Sequence, residues 1–146
     1  MNTKSPEKLV LDAWALLAFI QGEEPAASRV MQLIGQAEQK RVLLVMSWIN
    51  LGEVYYNIGR QKGRDEARET LDEILLLPIG LHNVKKRDVL AAAENKMNFA
   101  MSYADAFAVA LTQSLNATIV TGDPEIIGLD DAIRVEKLER YKLKRH

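Results

Sequence analysis

Leu9–Leu11 and Val42–Met46 are uninterrupted apolar runs, and every residue of Thr118–Thr121 is β-branched. A strand with one wet face alternates apolar and polar residues, whereas a strand covered on both faces does not. These runs therefore read as strands of a buried, mostly parallel sheet, with Pro78–Val84 and Ile133–Val135 as two further short strands. Parallel neighbours have to be joined by long crossovers, and the intervening segments have helical periodicity. Ala13–Ile20 stops near Gly22. Ala26–Lys40 opens after Pro25 and puts Val30, Leu33, Ile34 and Ala37 on one face. Trp48–Lys62 is capped by Ser47 and ended by Gly63, and Arg64–Leu76 turns Leu71, Ile74 and Leu75 inward. Lys86–Asn98 and a segment from Ser102 to about Leu115 complete the helices, and Gly122–Glu125 reads as a turn. Strands alternating with helices predict an α/β fold, a three-layer α/β/α sandwich around the sheet.

At 146 residues the chain has the length of one domain; it contains no linker, repeat or low-complexity segment, so residues 1–146 are expected to form a single unit. Apolar residues make up 48%, enough for a sizeable core. Nineteen Lys and Arg against 20 Asp and Glu exclude a binder that works through bulk positive charge, but not a nucleic-acid enzyme with local basic patches. With no cysteine and only His82 and His146, disulfides, thiolate or multi-histidine zinc sites and cysteine nucleophiles are ruled out. Any metal must be held by oxygen. Lys4 and Lys8 precede an apolar stretch shaped like a secretory leader, yet Asp12 lies inside it and no small-residue cleavage site follows. No apolar stretch approaches the ~20 residues that span a bilayer. The sequence predicts a cytoplasmic protein with no membrane partner.

In open α/β sheets chemistry gathers beyond the carboxyl ends of the strands. Asp12 follows the first run directly, and Asp123 follows Thr121-Gly122. Glu53, in Trp48-Ile-Asn-Leu-Gly-Glu-Val-Tyr-Tyr56, and Asp105, in Ser102-Tyr-Ala-Asp-Ala-Phe-Ala-Val-Ala-Leu111, are acids in otherwise apolar helices. Singly, each has an ordinary explanation: Asp12 and Asp123 as N-caps, Asp105 as the third residue of a capping box with Ser102, Glu53 on a solvated face. The set resists that explanation. Neither Glu53 nor Asp105 has a base three or four positions away, and an unpaired buried carboxylate is costly. Gly52, Ala104, Ala106 and Ala108 are expected to let these helices approach the sheet closely. Two carboxylates ~4 Å apart repel by about 4 kcal/mol at an effective dielectric of ~20, so a convergent cluster needs protons or a divalent cation. Oxygen-only ligands suit Mg²⁺ or Mn²⁺.

The order Asp12, Glu53, Asp105, Asp123, with Leu-Asp-Ala-x-Ala-Leu-Leu-Ala at 11–18, Glu-Val at 53–54, Ser-Tyr-Ala-Asp-Ala at 102–106 and Thr-Gly-Asp-Pro at 121–124, resembles the PIN-domain ribonucleases. The likeness is to the single-domain VapC-type toxins of prokaryotic toxin–antitoxin pairs, and runs from about Leu9 to Val135. It implies a PIN-like fold and a metal-dependent endoribonuclease in which those four acids surround one or two Mg²⁺ or Mn²⁺ ions. The metal would acidify a water, aim it in line at an RNA phosphodiester and screen the developing charge. The resemblance also implies a homodimer and a cognate antitoxin protein whose C-terminal segment lies across the toxin and blocks its metal site. Leu16, Phe19, Val30 and Leu33 are candidates for the antitoxin groove, with a core role as the competing reading. Where many members carry a hydroxyl two residues after the first aspartate, this chain has Trp14. Thr121 has two readings, a hydrogen-bond donor to a ligand carboxylate or to the attacking water, and a plain strand-end threonine.

Other residues read as structural. Glu125 reads as an exposed first-turn glutamate rather than an accessory acid, and His82 as remote from the acids. Trp48, Tyr55, Tyr56 and Ile58 fit a core or a subunit interface. Arg60, Lys62, Arg64, Lys85, Lys86, Arg87 and Lys96 fit solvated helix ends as well as RNA phosphates, so no RNA-binding residue is assigned. The tail 134–146, with six Lys and Arg against two acids, is the most basic patch. A haloacid-dehalogenase-type phosphatase needs a second aspartate where Trp14 stands, and no Gly-x-x-x-x-Gly-Lys loop or Gly-x-Ser-x-Gly elbow occurs. The rival from a different class is a catalytically weak PIN-like module that binds RNA or a protein, for which four mutually repelling acids serve no purpose.

Overall fold

The computed structural model describes residues 5–141. Its strands are β1 (Glu7–Leu11), β2 (Val42–Ser47), β3 (Ile79–His82), β4 (Thr118–Thr121) and β5 (Arg134–Lys137). They form one sheet in the order β3-β2-β1-β4-β5, and every pair is parallel. The helices are α1 (Ala13–Ile20), α2 (Ala26–Glu38), α3 (Trp48–Lys62), α4 (Arg64–Leu75), α5 (Lys86–Asn98), α6 (Tyr103–Leu115) and α7 (Pro124–Ile127). The expected sandwich follows from the pleat. Leu9, Leu11, Leu44 and Val120 join one core with Ala15, Val30 and Leu33 of α1 and α2. Val10 and Ile119 join the opposite core with Ala92, Phe107 and Val109 of α5 and α6. A third cluster of Leu16, Met46, Leu51, Val54, Ile58, Ala67 and Ile74 fastens α3 and α4 to α1. Full burial of such aliphatic side chains is worth roughly 1.5–3 kcal/mol each.

The sheet, rather than local hydrophobicity, sets the strand ends. β1 starts at Glu7 because Glu7 and Lys8, though exposed, stand opposite Val42 and Leu43. The third strand contracts to Ile79–His82, and the last shifts to Arg134–Lys137, in register with Thr118–Thr121. The segment Gly122–Glu125, read as a turn, opens a short helix, as the N-cap reading of Asp123 expects. Asp123 caps α7 by accepting from Glu125 N at 2.9 Å, with Pro124 at the first helical position. Gly63, at φ 93°, ends α3 and starts α4 in a conformation that carries no steric penalty only for glycine. Gly52 does not approach the sheet: it is exposed, and a Cβ there would meet nothing within 4 Å. Close approach is left to Ala106 and Ala108, both fully buried. Among the described residues no helix is long and apolar enough to cross a membrane.

β1 is central, with β2 on one side and β4 on the other. The chain first builds outward through β2 to β3, then returns through α6 to place β4 on the free side of β1. That reversal opens a crevice at the carboxyl ends of β1 and β4, where α/β sheets bind ligands.

Candidate active site

Asp12 leaves β1 into this crevice as the N-cap of α1. Its side chain is fully buried; Oδ1 accepts from Ala15 N at 2.9 Å, and Oδ2 accepts from the Thr121 hydroxyl. Thr121 Oγ1 in turn accepts from Asp123 N at 2.9 Å. One threonine at the end of β4 thus ties together two acids at the ends of neighbouring strands.

Asp105 sits in the first turn of α6. Ser102 caps that helix by accepting from Asp105 N at 3.1 Å. In a capping box the third-residue acid answers by accepting from the cap's own N–H. Here the bond from Ser102 N, at 3.2 Å, goes to Glu125 Oε2 instead. Asp105 is released from the capping role its sequence position predicts, and carboxylate oxygens of Asp105, Asp123 and Glu125 lie within 4.8 Å of one another. Glu53 comes from α3, half-buried, and its Oε1 is buried with no hydrogen-bond partner among the described residues.

The electrostatics show these groups sharing one field. Burial pushes Asp12 up to about 7 against the opposing bonds from Thr121 and Ala15, with repulsion from Asp123 and Glu53 adding to the rise. Burial also raises Asp105, to about 8; the charge of Asp123 and a hydrogen bond to it add to the effect, the Ser102 bond opposes it, and Asp12 contributes further. Glu53 is raised by burial and then by Asp123. None of these acids forms an ion pair among the described residues.

Asp12, Glu53, Asp105 and Asp123 therefore converge, and Thr121 bonds a carboxylate. Glu125 is exposed as expected, but it belongs to the cluster. The sequence hid it because its position follows from the bond it accepts from Ser102 N, 23 positions away in the chain. Trp14 occupies the neighbourhood too: a Cβ on Gly122 would fall 2.2 Å from its indole, so the ring lies directly on the backbone between Thr121 and Asp123. Three of the groove candidates are core residues: Leu16, Val30 and Leu33 are buried beneath the sheet and helices and cannot face a partner. Phe19 is half-buried and lines an open groove with Ile20, Met31 and Leu77.

Ile58 is core and Tyr55 packs against it, while Trp48 and Tyr56 are exposed. His82 pairs with Asp88 at 3.0 Å, away from the acids. Several of the basic residues have local partners: Arg60 stacks on Tyr56, Lys62 reaches Glu66 and Lys96 donates to Met101 O. In the tail, Arg140 pairs with Glu23; Lys142, Lys144, Arg145 and His146, like Lys4, lie outside the described residues.

Fold and site together define an α/β sandwich protein with a carboxylate cluster at the switch point of its parallel sheet. The PIN domain model matches residues 9–132, and the chain belongs to the PIN domain family. Its fold is similar to that of VapBC2 from Rickettsia felis, solved bound to a promoter DNA fragment, with a TM-score of 0.69 at 15% identity over 90% of this chain and 99% of that one. DNA-bound VapBC from Salmonella typhimurium is similar at a TM-score of 0.67 and 14% identity, over 90% of this chain and 98% of that one. VapC20 of Mycobacterium tuberculosis, a sarcin–ricin loop cleaving toxin, is similar at a TM-score of 0.66 and 14% identity, over 82% and 93%. At these identities the likeness is one of fold. No curated protein matches the chain by sequence.

Proposed function

We propose that this protein is a Mg²⁺- or Mn²⁺-dependent endoribonuclease and the toxin of a toxin–antitoxin pair. The observation that carries the proposal is a cluster of acids without an ion-pair partner among the described residues, in which Asp12 and Asp105 are buried and Glu53 Oε1 lacks any hydrogen-bond partner. A donor set made only of carboxylate oxygens fits a hard divalent cation. Asp12, Glu53, Asp105 and Asp123 would hold it, with Glu125 beside Asp105 and Asp123. When bound, the ion supplies Lewis acidity: it acidifies a water and offsets negative charge developing on an RNA phosphodiester.

The chain's own residues prepare that chemistry. Thr121 fixes the direction of the Asp12 carboxylate and, through Asp123 N, the turn that presents Asp123. Burial around Asp12 and Asp105 keeps bulk water from screening the charges. Burial and mutual repulsion make Asp12 and Asp105 hold their protons more tightly than free carboxylates do, and a bound cation would displace those protons. The fold likeness to a sarcin–ricin loop cleaving toxin favours RNA as substrate, and the likeness to VapBC complexes favours a cognate antitoxin; a homodimer and a cytoplasmic setting belong to the proposal through the sequence resemblance to VapC-type toxins.

The test is cleavage of structured RNA with Mn²⁺ or Mg²⁺, with chelator, and with Asp105→Asn. Activity that needs the cation and is abolished in Asp105→Asn, in folded protein, is the expected result. An unfolded Asp105→Asn protein would make Asp105 structural. Cation binding without cleavage of any RNA would favour the PIN-like binding module instead.

A further inference from the structure

Asn50 lies one helical turn before Glu53 on α3 and is completely buried. Its Nδ2 donates to Ala104 O at 3.0 Å, in the first turn of α6 and next to Asp105. Its Oδ1 is buried with no donor among the described residues, which is also the condition of Glu53 Oε1. Residues three apart share a helix face, so two unpartnered acceptors sit on the side of α3 that meets α6. Leaving one acceptor unsatisfied costs about 1–3 kcal/mol, and an aliphatic residue would fill the same space without that cost. The amide is therefore poor design for a helix contact alone.

We infer that Asn50 is a positioning residue of the acidic site: its amide N–H pins the turn carrying Asp105 to the helix carrying Glu53, and so holds in place the carboxylates that would bind the cation. The inference rests on the metal-site reading above and extends it to a residue outside the carboxylate set. Outer partners of this kind change metal affinity by about 10–100-fold when removed.

The experiment measures Mn²⁺ binding by calorimetry on wild type, Asn50→Leu, Asn50→Ala and Asp105→Asn, alongside thermal melts without metal and amide hydrogen exchange over residues 105–107. Asn50→Leu keeps the heavy-atom count and branching of the side chain and removes both the donor and the orphaned acceptor. The expected result is a metal-free melting temperature within a few degrees of wild type, Mn²⁺ binding weakened about tenfold or more, and faster exchange at 105–107. Asn50→Ala should weaken binding similarly at lower stability. Wild-type Mn²⁺ affinity in Asn50→Leu overturns the role of Asn50 while leaving the site intact, and so does loss of the fold in both variants. Absence of Mn²⁺ binding by wild type overturns the site reading and this inference together.

Discussion

Asp12 and Asp105 make stability depend on pH in a direction opposite to that of salt-bridged carboxylates. In the unfolded chain both titrate near 3.8, whereas in the fold they titrate at about 7 and about 8. Between those limits the folded protein keeps protons that the unfolded chain has lost. Stability without metal is therefore fully present below about pH 4 as far as these groups are concerned, falls as pH rises, and levels off above about 8. The slope is up to about 1.4 kcal/mol per pH unit for each retained proton. Denaturant unfolding in chelator from pH 5 to 9 should show that decline, Asp105→Asn should flatten it, and Mn²⁺ should offset it because cation and proton compete. A stability that rises over this range would contradict the raised carboxylates. Gly122 gives a second residue-scale outcome. Adding a methyl there drives it into the Trp14 ring, so Gly122→Ala should cost about 1–3 kcal/mol. Trp14→Ala in the same chain should recover most of that loss, a coupling that a double-mutant cycle in urea measures directly.

At the scale of elements, α6 and α7 divide one capping box between them. Ser102 supplies the hydroxyl for α6, Glu125 of α7 supplies the carboxylate, and Asp105 is left to face Asp123. Glu125→Gln preserves the acceptor for Ser102 N and removes a charge from the cluster. Its denaturation midpoint should match wild type while Mn²⁺ binds severalfold more weakly; unchanged binding would confine Glu125 to holding the two helices together. The same junction explains which parts of the molecule were legible in the sequence. Three acids could be found because they follow a buried run directly or interrupt an apolar helix start, and Glu53 because no base flanks it. Continuous apolar runs located β1 and β2, a β-branched run located β4, and caps such as Ser47 and Ser102 fixed helix starts to within a residue. α7 stayed ambiguous because Gly-Asp-Pro-Glu satisfies turn chemistry and helix-capping chemistry equally, and only tertiary packing chooses. The Ser102–Glu125 bond spans 23 positions, and the Asn50–Ala104 bond spans 54. No local pattern records either one.

At the scale of the whole molecule, the exposed apolar side chains favour association beyond one chain. Trp48, Ile49 and Tyr56 leave α3 on its solvent side, and Leu76 is 87% exposed at the end of α4. Large aromatic side chains bury 150–250 Å² each, so a few of them supply much of the ~800 Å² per partner of a standard interface. Light scattering at micromolar concentration should give the mass of a dimer, and a strict monomer would count against self-association. The nuclease and toxin readings separate in the cell. An acid cluster that lacks its own counter-charge attracts an arginine or lysine as readily as a cation, and a basic side chain placed there excludes the metal. A partner that supplied such a side chain while covering the groove beside Phe19 and Met31 would silence the proposed nuclease without altering its fold. Expressing this chain alone should therefore arrest growth. Asp12→Ala should relieve the arrest, because it removes a central carboxylate of the cluster. Co-expression of a cognate partner should rescue the wild type, and a partner variant with its basic side chain removed should rescue poorly while still binding. Harmless expression of folded wild-type protein without any partner would remove the toxin assignment and leave a nuclease that serves the cell in another capacity.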